Sequence, residues 1–152
     1  MFRKTVALLG VVAVAGSTAA VAGAKTSHHA TKHKVNISAK LTKQATSGQG
    51  PLVYTGTVSG TGGKGTVVVK QTIISATKST STSVATYKKG KLNAKFTITQ
   101  MITSSGTTFT GTGKTTGGTG IYKHAKGNLK VTGTASSNLA SAKLKITGTI
   151  KY

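Results

Sequence analysis

Two glycine-rich segments of this sequence have the spacing of phosphate-binding loops. Residues 60–65 read GTGGKG and match the dinucleotide pattern G-x-G-x-x-G, which needs a helix after the loop to hold a pyrophosphate. Residues 66–69 read TVVV and favour a strand instead. Residues 113–115 read GKT, like the end of a P-loop, but Thr108 stands where the first glycine belongs. We therefore expect neither segment to bind a nucleotide.

Three histidines near the N-terminus form the other candidate chemical site. His29 and His33 are four residues apart, a spacing that could share a metal ion on a helix, and His28 is adjacent. The chain has no Asp, Glu or Cys that could complete the ligand set. We expect no structural or catalytic metal site there, and we expect His124 to lie in an exposed turn.

The absence of acidic residues excludes several classes of enzyme. Glycoside hydrolysis needs paired carboxylates, a Ser-His-acid triad needs its third member, and phosphoryl transfer needs ligands for magnesium. This chain has no Asp or Glu to supply them. The sequence therefore predicts a protein that is not an enzyme, with no catalytic residues and no cofactor.

The charge of the chain predicts an anionic partner. It carries 21 Lys and Arg, no acidic residue and a formal net charge of +21, so no side-chain ion pair can form and every cation repels the others. Such a surface attracts anionic wall polymers, lipid head groups and extracellular nucleic acid. Selectivity should be low, because lysine lacks the bidentate fork of arginine.

The first residues predict export. Arg3 and Lys4 precede an apolar run over residues 6–15, and the segments 20–22 and 22–24 both fit the small-x-small rule for cleavage. We interpret residues 1–24 as a signal peptide and the protein as secreted or extracellular, with retention at the cell envelope as a variant. An N-terminal membrane anchor is the alternative.

The remaining chain divides into a tail and one domain. Residues 25–34 read KTSHHATKHK, without apolar periodicity, which predicts a flexible basic tail. Residues 35–152 are predicted to form a single domain without disulfides, since the chain has no cysteine.

Recurring alternation of apolar and polar residues, together with many Thr, Val, Ile and Gly residues, predicts strands in that domain. In residues 91–102 the side chains of Leu92, Phe96, Ile98 and Ile102 share one face, with Lys95 on the other. Residues 143–151 repeat the pattern with Leu144, Ile146 and Ile150 inward, and residues 128–135 place Val131 in the core. The predicted strands cover residues 35–41, 52–59, 65–75, 81–87, 91–102, 107–115, 128–135 and 143–151.

Eight short strands joined by short polar links predict an all-β fold. We expect an eight-stranded antiparallel up-and-down barrel, which leaves no exposed edge, with a two-sheet β-sandwich as the alternative. The pattern apolar-Thr-Gly-Thr occurs at residues 54–57, 109–112, 131–134 and 146–149. A glycine on the apolar face lets a strand bend or a neighbouring side chain cross closely, as closing a small barrel requires.

One segment resembles a known family. Residues 117–127 read GGTGIYKHAKG, a glycine-rich turn with an aromatic residue, before a predicted strand. This resembles the signature turn of the allene oxide cyclase and dirigent-like β-barrel superfamily, including its small secreted bacterial members. The resemblance implies an eight-stranded barrel with an apolar interior and a ring packed under the turn. The residues that carry it are Gly117, Gly118, Thr119, Gly120, Tyr122, Ala125 and Gly127.

Three functions fit these expectations. The first is non-specific, non-catalytic binding of anionic envelope or extracellular polymer. The second is carriage of a small apolar ligand in the barrel, and the third is a dirigent-like or cyclase-like protein acting by cavity shape. The acids that the superfamily's plant enzymes and dirigent proteins use are missing here, so their activities do not transfer. The predicted polyanion contacts are Lys88, Lys89, Lys91, Lys123, Lys126, Lys130, Lys143, Lys145 and Lys151.

Overall fold

The protein is a closed barrel of eight antiparallel strands in sequence order. The computed structural model of the chain describes residues 30–45 and 50–152. A short 3-10 helix, Gly120–Tyr122, lies between the sixth and seventh strands. The strands are β1 Lys32–Lys43, β2 Leu52–Gly60, β3 Gly65–Ser75, β4 Lys78–Tyr87, β5 Gly90–Thr103, β6 Gly106–Gly118, β7 Lys126–Ala135 and β8 Ser141–Lys151.

Pairing of the first strand with the last closes the barrel. Ile37 of β1 lies opposite Gly60 of β2 on one side and opposite Ile146 of β8 on the other. Each remaining strand pairs with the next one along the chain. The prediction of an up-and-down barrel is therefore confirmed, and the β-sandwich alternative is wrong. Closure satisfies the edge groups that two open sheets would leave unpaired.

Alternation along the strands sends one set of side chains into a continuous core. Phe96 is buried while its neighbour Lys95 is exposed, so the predicted inward face of β5 is confirmed. Leu92, Ile98 and Val131 are also buried. Leu144 and Ile146 are partly buried against this core.

One residue of the predicted inward face lies outside the core. Ile102 follows the same alternation as Phe96, yet it is 61% exposed. Pairing of β4 with β5 ends at Thr99, so only β6 continues beside Ile102 and the other side of this side chain has no strand next to it. The last inward position of β5 that is buried belongs to Gln100 instead.

A glycine of the repeated Thr-Gly-Thr pattern makes room for two large side chains, as expected. A Cβ atom added at Gly133 would lie 2.7 Å from Cε2 of Phe109 and 2.8 Å from Cδ2 of Leu144. Real Cβ atoms do not approach so closely, so any larger residue would push the Phe109 ring away. Because Gly133 has no side chain, the Phe109 and Leu144 side chains can approach the strand closely there, and the barrel can close around few core residues.

The domain begins earlier than the sequence pattern suggests. Lys32, His33 and Lys34 were assigned to the flexible tail, but the structure places them in β1. The tail boundary is therefore corrected, because these residues pair with β8, and the His33 ring stacks on Tyr152 with centroids 4.3 Å apart. The predicted signal peptide and residues 25–29 of the tail lie outside the described residues.

The two ends of the barrel have different composition. We call the end with the β2–β3, β4–β5 and β6–β7 connections the aromatic end, since Tyr87, Tyr122 and Tyr152 meet there. The other end, with the β3–β4, β5–β6 and β7–β8 connections, is called the lip end. Within residues 30–45 and 50–152, no helix is long and apolar enough to cross a membrane.

Candidate functional site: a basic groove and an interior cavity

The glycine-rich turn between β6 and β7 closes the aromatic end. The Tyr122 ring is 2% exposed and lies at 5.9 Å from Tyr87 and 4.9 Å from Tyr152, measured between ring centroids. Gly120 has a φ of 59°, in the left-handed region, which starts the short helix that carries this ring. The amide of Ile121 donates to the carbonyl of Lys89, so the turn is fixed to the β4–β5 hairpin.

Every lysine of the described residues is exposed. On the strands they alternate with buried residues, so they project from the outer wall, and the turns carry the others. Lysine and threonine share this outer face, and no acidic side chain exists to neutralise the charge. The wall therefore presents fixed ammonium groups among hydroxyl groups, a combination that can bind phosphate, sulfate or carboxylate oxygens.

The strand register places lysines directly opposite one another in four pairs. Lys95 of β5 faces Lys114 of β6, and Lys40 of β1 faces Lys143 of β8. Lys151 of β8 faces both Lys126 of β7 and Lys32 of β1. Like charges opposite each other on one face of a sheet repel and destabilise the pairing.

Part of this wall forms a broad, shallow depression that is largely open to solvent. We call it the basic groove and define it by its lysines, which are Lys32, Lys70, Lys95, Lys114, Lys126, Lys130 and Lys151. Thr82 lies opposite both Lys70 and Lys95, and Lys114 lies opposite both Lys95 and Asn128. The groove thus contains a lateral row of cations and neutral hydrogen-bonding groups across five strands.

The predicted polyanion contacts fall into three regions. Lys126, Lys130 and Lys151 lie in the basic groove. Lys143 and Lys145 lie on the outer face of β8 beyond it. Lys88, Lys89, Lys91 and Lys123 gather at the aromatic end, where the β4–β5 hairpin is bonded to the glycine-rich turn.

Sequence reasoning missed four lysines of the groove, which are Lys32, Lys70, Lys95 and Lys114. Alternation alone could have placed Lys95 on the outer wall, because Phe96 is its inward neighbour. Lys114 was considered only as part of a GKT phosphate loop, whereas it lies within β6. Its position beside Lys95 depends on the β5–β6 register, which is irregular between Leu92 and Ala94. No local signal in the sequence reports that register.

The interior of the barrel contains a mostly apolar cavity of about 70 Å³. It extends from Tyr87 towards Gln100, Thr107 and Leu139 near the lip end. Ligand pockets for drug-sized molecules are usually 300–1000 Å³. Phe96, Ile98 and the other inward side chains therefore fill most of the barrel, and the remaining space accepts a few heavy atoms at most.

Buried hydroxyl groups lie at both ends of this cavity. The Gln71 side chain donates to Oγ of the fully buried Ser79 at 2.9 Å. The hydroxyl groups of Tyr87 and Thr107 are buried and have no hydrogen-bond partner among the described residues. Burial, with a smaller contribution from Tyr122, raises the pKa of Tyr87 to about 12, so its hydroxyl stays protonated at neutral pH. Burial likewise raises the pKa of Tyr54 and of Tyr122.

The other sequence motifs do not form the sites that their patterns resemble. Residues 60–65 connect β2 with β3, so a strand follows the glycines and no helix N-terminus is present to hold a pyrophosphate. His33 stacks on Tyr152 in a strand, whereas His28 and His29 lie outside the described residues. Within the described residues, no group of three or more His, Cys, Asp or Glu could hold a metal ion.

Comparison with known proteins identifies no relative. No family model matches the chain, and neither a curated protein nor a solved structure does. Membership of the allene oxide cyclase and dirigent-like superfamily therefore stays a prediction from residues 117–127.

Proposed function

We propose that this protein binds anionic polymers in the basic groove of its outer wall and is not an enzyme. The observation that carries the proposal is the set of directly opposed lysines there, Lys95 with Lys114 and Lys151 with both Lys126 and Lys32. Neighbouring strands normally avoid like charges at opposed positions. Where this rule is broken and no other group of the protein compensates the charge, a functional site is expected. An anionic chain lying in the groove supplies the missing counter-charge.

A bound anionic polymer would relieve the repulsion between the opposed lysines. Opposed side chains on neighbouring strands have Cβ atoms only ~5 Å apart, and strands of a soluble protein normally avoid like charges at such positions. With no acid in the chain, salt and bound anions are the only sources of compensation. A polymer with regularly spaced phosphate, sulfate or carboxylate groups neutralises several lysines at once and releases its own counterions.

The expected affinity is weak and unselective. Lysine binds as a point charge, and the threonines beside it bond any oxygen acceptor, so neither base sequence nor sugar type should matter much. Wall polymers, lipid head groups and extracellular nucleic acid are all partners of this kind. Which of them the protein meets depends on export, and the predicted signal peptide is tested by sequencing the N-terminus of protein from culture medium. A mature start near Lys25 supports export, and an intact Met1 in a membrane fraction contradicts it.

The test compares two lysine pairs that change the charge equally. Lys95→Gln with Lys114→Gln removes an opposed pair inside the groove, and Lys40→Gln with Lys143→Gln removes an opposed pair outside it. Binding to duplex DNA and heparin is measured across a salt series. We expect the groove variant to lower the slope of log affinity against log salt by almost one unit per lost phosphate contact. The control variant should change the slope by clearly less.

Two results would contradict the proposal. Equal effects of the two variants would mean that diffuse charge, and not the groove, attracts the polymer. Binding that is unchanged at about 1 M salt, where the Debye length is only ~3 Å, would mean that charge is not the main attraction.

The interior cavity favours carriage of a small ligand as a second candidate. Its apolar lining has unpaired hydroxyl groups at Tyr87 and Thr107, which could orient a molecule with a polar group at one end. A volume of about 70 Å³ limits such a ligand to a few heavy atoms. A crystal structure of the purified protein tests this candidate. Electron density of a trapped molecule between Tyr87 and Thr107 would support it. The third possibility, catalysis by cavity shape, has no observation of its own to favour it.

A further inference from the structure

Exposed apolar side chains are concentrated at the lip end. Ile73, Ile74, Met101 and Ile102 are 44%, 63%, 66% and 61% exposed. The other large hydrophobic residues exposed among the described residues are Val68 and Val84 on the wall and Ile121 at the aromatic end, and none of the three exceeds 44%. Ile74, Met101 and Ile102 are the most exposed of this set, and we call these three together with Ile73 the apolar lip.

Hydrogen bonds hold the two hairpins of the lip together. The backbone amide of Gln100 donates to the carbonyl of Thr77 at 2.9 Å, and the Gln100 side chain donates to the carbonyl of Ala76 at 3.2 Å. These bonds connect β5, which carries Met101 and Ile102, to the turn that follows Ile73 and Ile74. The Thr103 hydroxyl donates to the carbonyl of Gly106 at 2.9 Å and braces the second hairpin. The two hairpins that carry the four apolar side chains are therefore held together at this end of the barrel.

Position in the fold explains why the barrel itself leaves this patch uncovered. Ile73 and Ile102 continue the inward alternation of β3 and β5 but lie past the last covered position. Ile74 and Met101 point to the outside, and the register between β3 and β4 shifts between Ile73 and Ser75. Exposed apolar residues grouped at the tips of rigid hairpins indicate a surface that meets an apolar environment.

The charge of the chain selects the occupant. A second copy of the protein carries the same charge without one acid, so two copies repel. Four side chains are also too few for a stable protein interface, which buries about 800 Å² on each partner. An anionic bilayer offers hydrocarbon for the apolar tips and negative head groups for the exposed lysines at the same end of the barrel, which are Lys43, Lys78 and Lys143.

We propose that the apolar lip inserts into the interfacial region of an anionic lipid bilayer, with the barrel standing on its lip end. The electrostatic part of this proposal rests on the same attraction between lysines and anions as the proposed function, although Lys43, Lys78 and Lys143 lie outside the basic groove. The apolar part is independent of it. In this orientation the aromatic end, with Lys88, Lys89, Lys91 and Lys123, points away from the bilayer and stays open to soluble polymer.

The absence of tryptophan makes a local reporter possible. Ile74→Trp and Met101→Trp each place a single indole in the lip, and Ile121→Trp places one at the opposite end at a residue that is also exposed. Each variant is mixed with vesicles of phosphatidylglycerol and phosphatidylcholine in equal amounts, and with vesicles of phosphatidylcholine alone. We expect a blue-shifted emission, quenched by brominated acyl chains, for the two lip variants with the anionic vesicles only. The Ile121→Trp emission should not change. The reporter is local, so it separates the lip from the apolar run at residues 6–15.

A second measurement uses side-chain removal. Ile74→Ser with Met101→Ser should weaken binding to the anionic vesicles by about 100-fold, since each buried side chain of this size is worth about a factor of ten. Val68→Thr with Val84→Thr, on the wall, is the matched control and should leave binding unchanged. Heparin retention should be the same in both double variants.

The outcomes separate this inference from the proposed function. Retention on heparin together with unshifted Ile74→Trp and Met101→Trp emission would overturn the inference and leave the proposed function standing. Insertion of the lip without heparin retention would support the inference and contradict the proposed function. A dimer in gel filtration that Ile74→Ser with Met101→Ser dissolves would overturn the inference in favour of a second copy.

Discussion

The two ends of this barrel are built on the same strands but are closed in different ways. At the aromatic end the rings of Tyr87, Tyr122 and Tyr152 pack together under the glycine-rich turn. The backbone of this turn is hydrogen-bonded to the β4–β5 hairpin. At the lip end a polar layer of Ser79, Gln100 and Thr107 is buried, and the large apolar residues lie outside it. One end thus buries its apolar surface inside the protein, and the other presents it to the surroundings.

The distribution of charge adds to this difference. The aromatic end carries the lysines of three connections and of the strand ends beside them, which are Lys32, Lys64, Lys88, Lys89, Lys91, Lys123, Lys126 and Lys151. The lip end has Lys43, Lys78 and Lys143. A chain whose charged side chains are all cationic can therefore still fold into a molecule with two chemically different ends. In the functions that we propose, the aromatic end faces soluble polyanions and the lip end faces a surface with an apolar layer.

Among the changes that test how the two ends differ, the largest effect is expected on the free energy of unfolding. Tyr122→Ala removes the buried ring that closes the aromatic end and should lower the free energy of unfolding by roughly 3–5 kcal/mol. Ile102→Ala at the lip end should change it by no more than about 0.5 kcal/mol, because the side chain is mostly in water. Denaturant unfolding of both variants measures the difference. Similar losses would mean that the lip is packed in solution.

Neutralising two lysines at either end should separate polymer binding from bilayer binding. Lys43→Gln with Lys78→Gln should weaken binding to anionic vesicles by roughly 30-fold, from about 1 kcal/mol per lysine near the surface. Lys126→Gln with Lys151→Gln, at the aromatic end and in the basic groove, should affect vesicle binding less and heparin retention more. The two variants have the same charge, so net charge is controlled. An identical loss in both assays would mean that the two ends do not differ in function.

Removal of unpaired hydroxyl groups should stabilise both ends. Tyr87→Phe at the aromatic end and Thr107→Val at the lip end each delete a buried hydroxyl without a partner among the described residues. We expect each change to raise the free energy of unfolding by about 1 kcal/mol, since an unsatisfied buried polar group costs about 1–3 kcal/mol. Thr108→Val, at an exposed neighbouring position, is the control. A loss of stability in Thr107→Val would show that its hydroxyl bonds water or a ligand in the cavity.

A pH-dependent effect is expected on the alkaline stability of the aromatic end. Tyr87 has a pKa of about 12 in the folded protein and about 10 when unfolded, so its burial favours the protonated form. Above pH 10 the unfolded chain loses this proton first, and stability falls as pH rises towards 12. Tyr87→Phe should remove this share of the loss. Unfolding by denaturant at pH 8, 10 and 11 measures it, and a constant difference between the variant and the natural protein across these values would contradict the expectation.

Much of the fold was predictable because strand formation leaves a local signal. The period-two pattern that places Phe96 inward and Lys95 outward predicts β5 and its buried face, and the same pattern predicts the other strands. The pattern is wrong at Ile102 for a physical reason. Alternation determines the direction of a side chain but not whether another strand covers it.

The sequence by itself determined the charge, the lack of acidic residues, the number of strands and, for most positions, the face that each strand buries. These properties depend on residue types and on neighbours two positions away. Only the tertiary structure decided that Lys95 meets Lys114, that His33 belongs to a strand, that the interior holds only about 70 Å³ of space and that Ile73, Ile74, Met101 and Ile102 form one lip. Each of these features depends on the register between strands, and register is determined when the whole barrel closes.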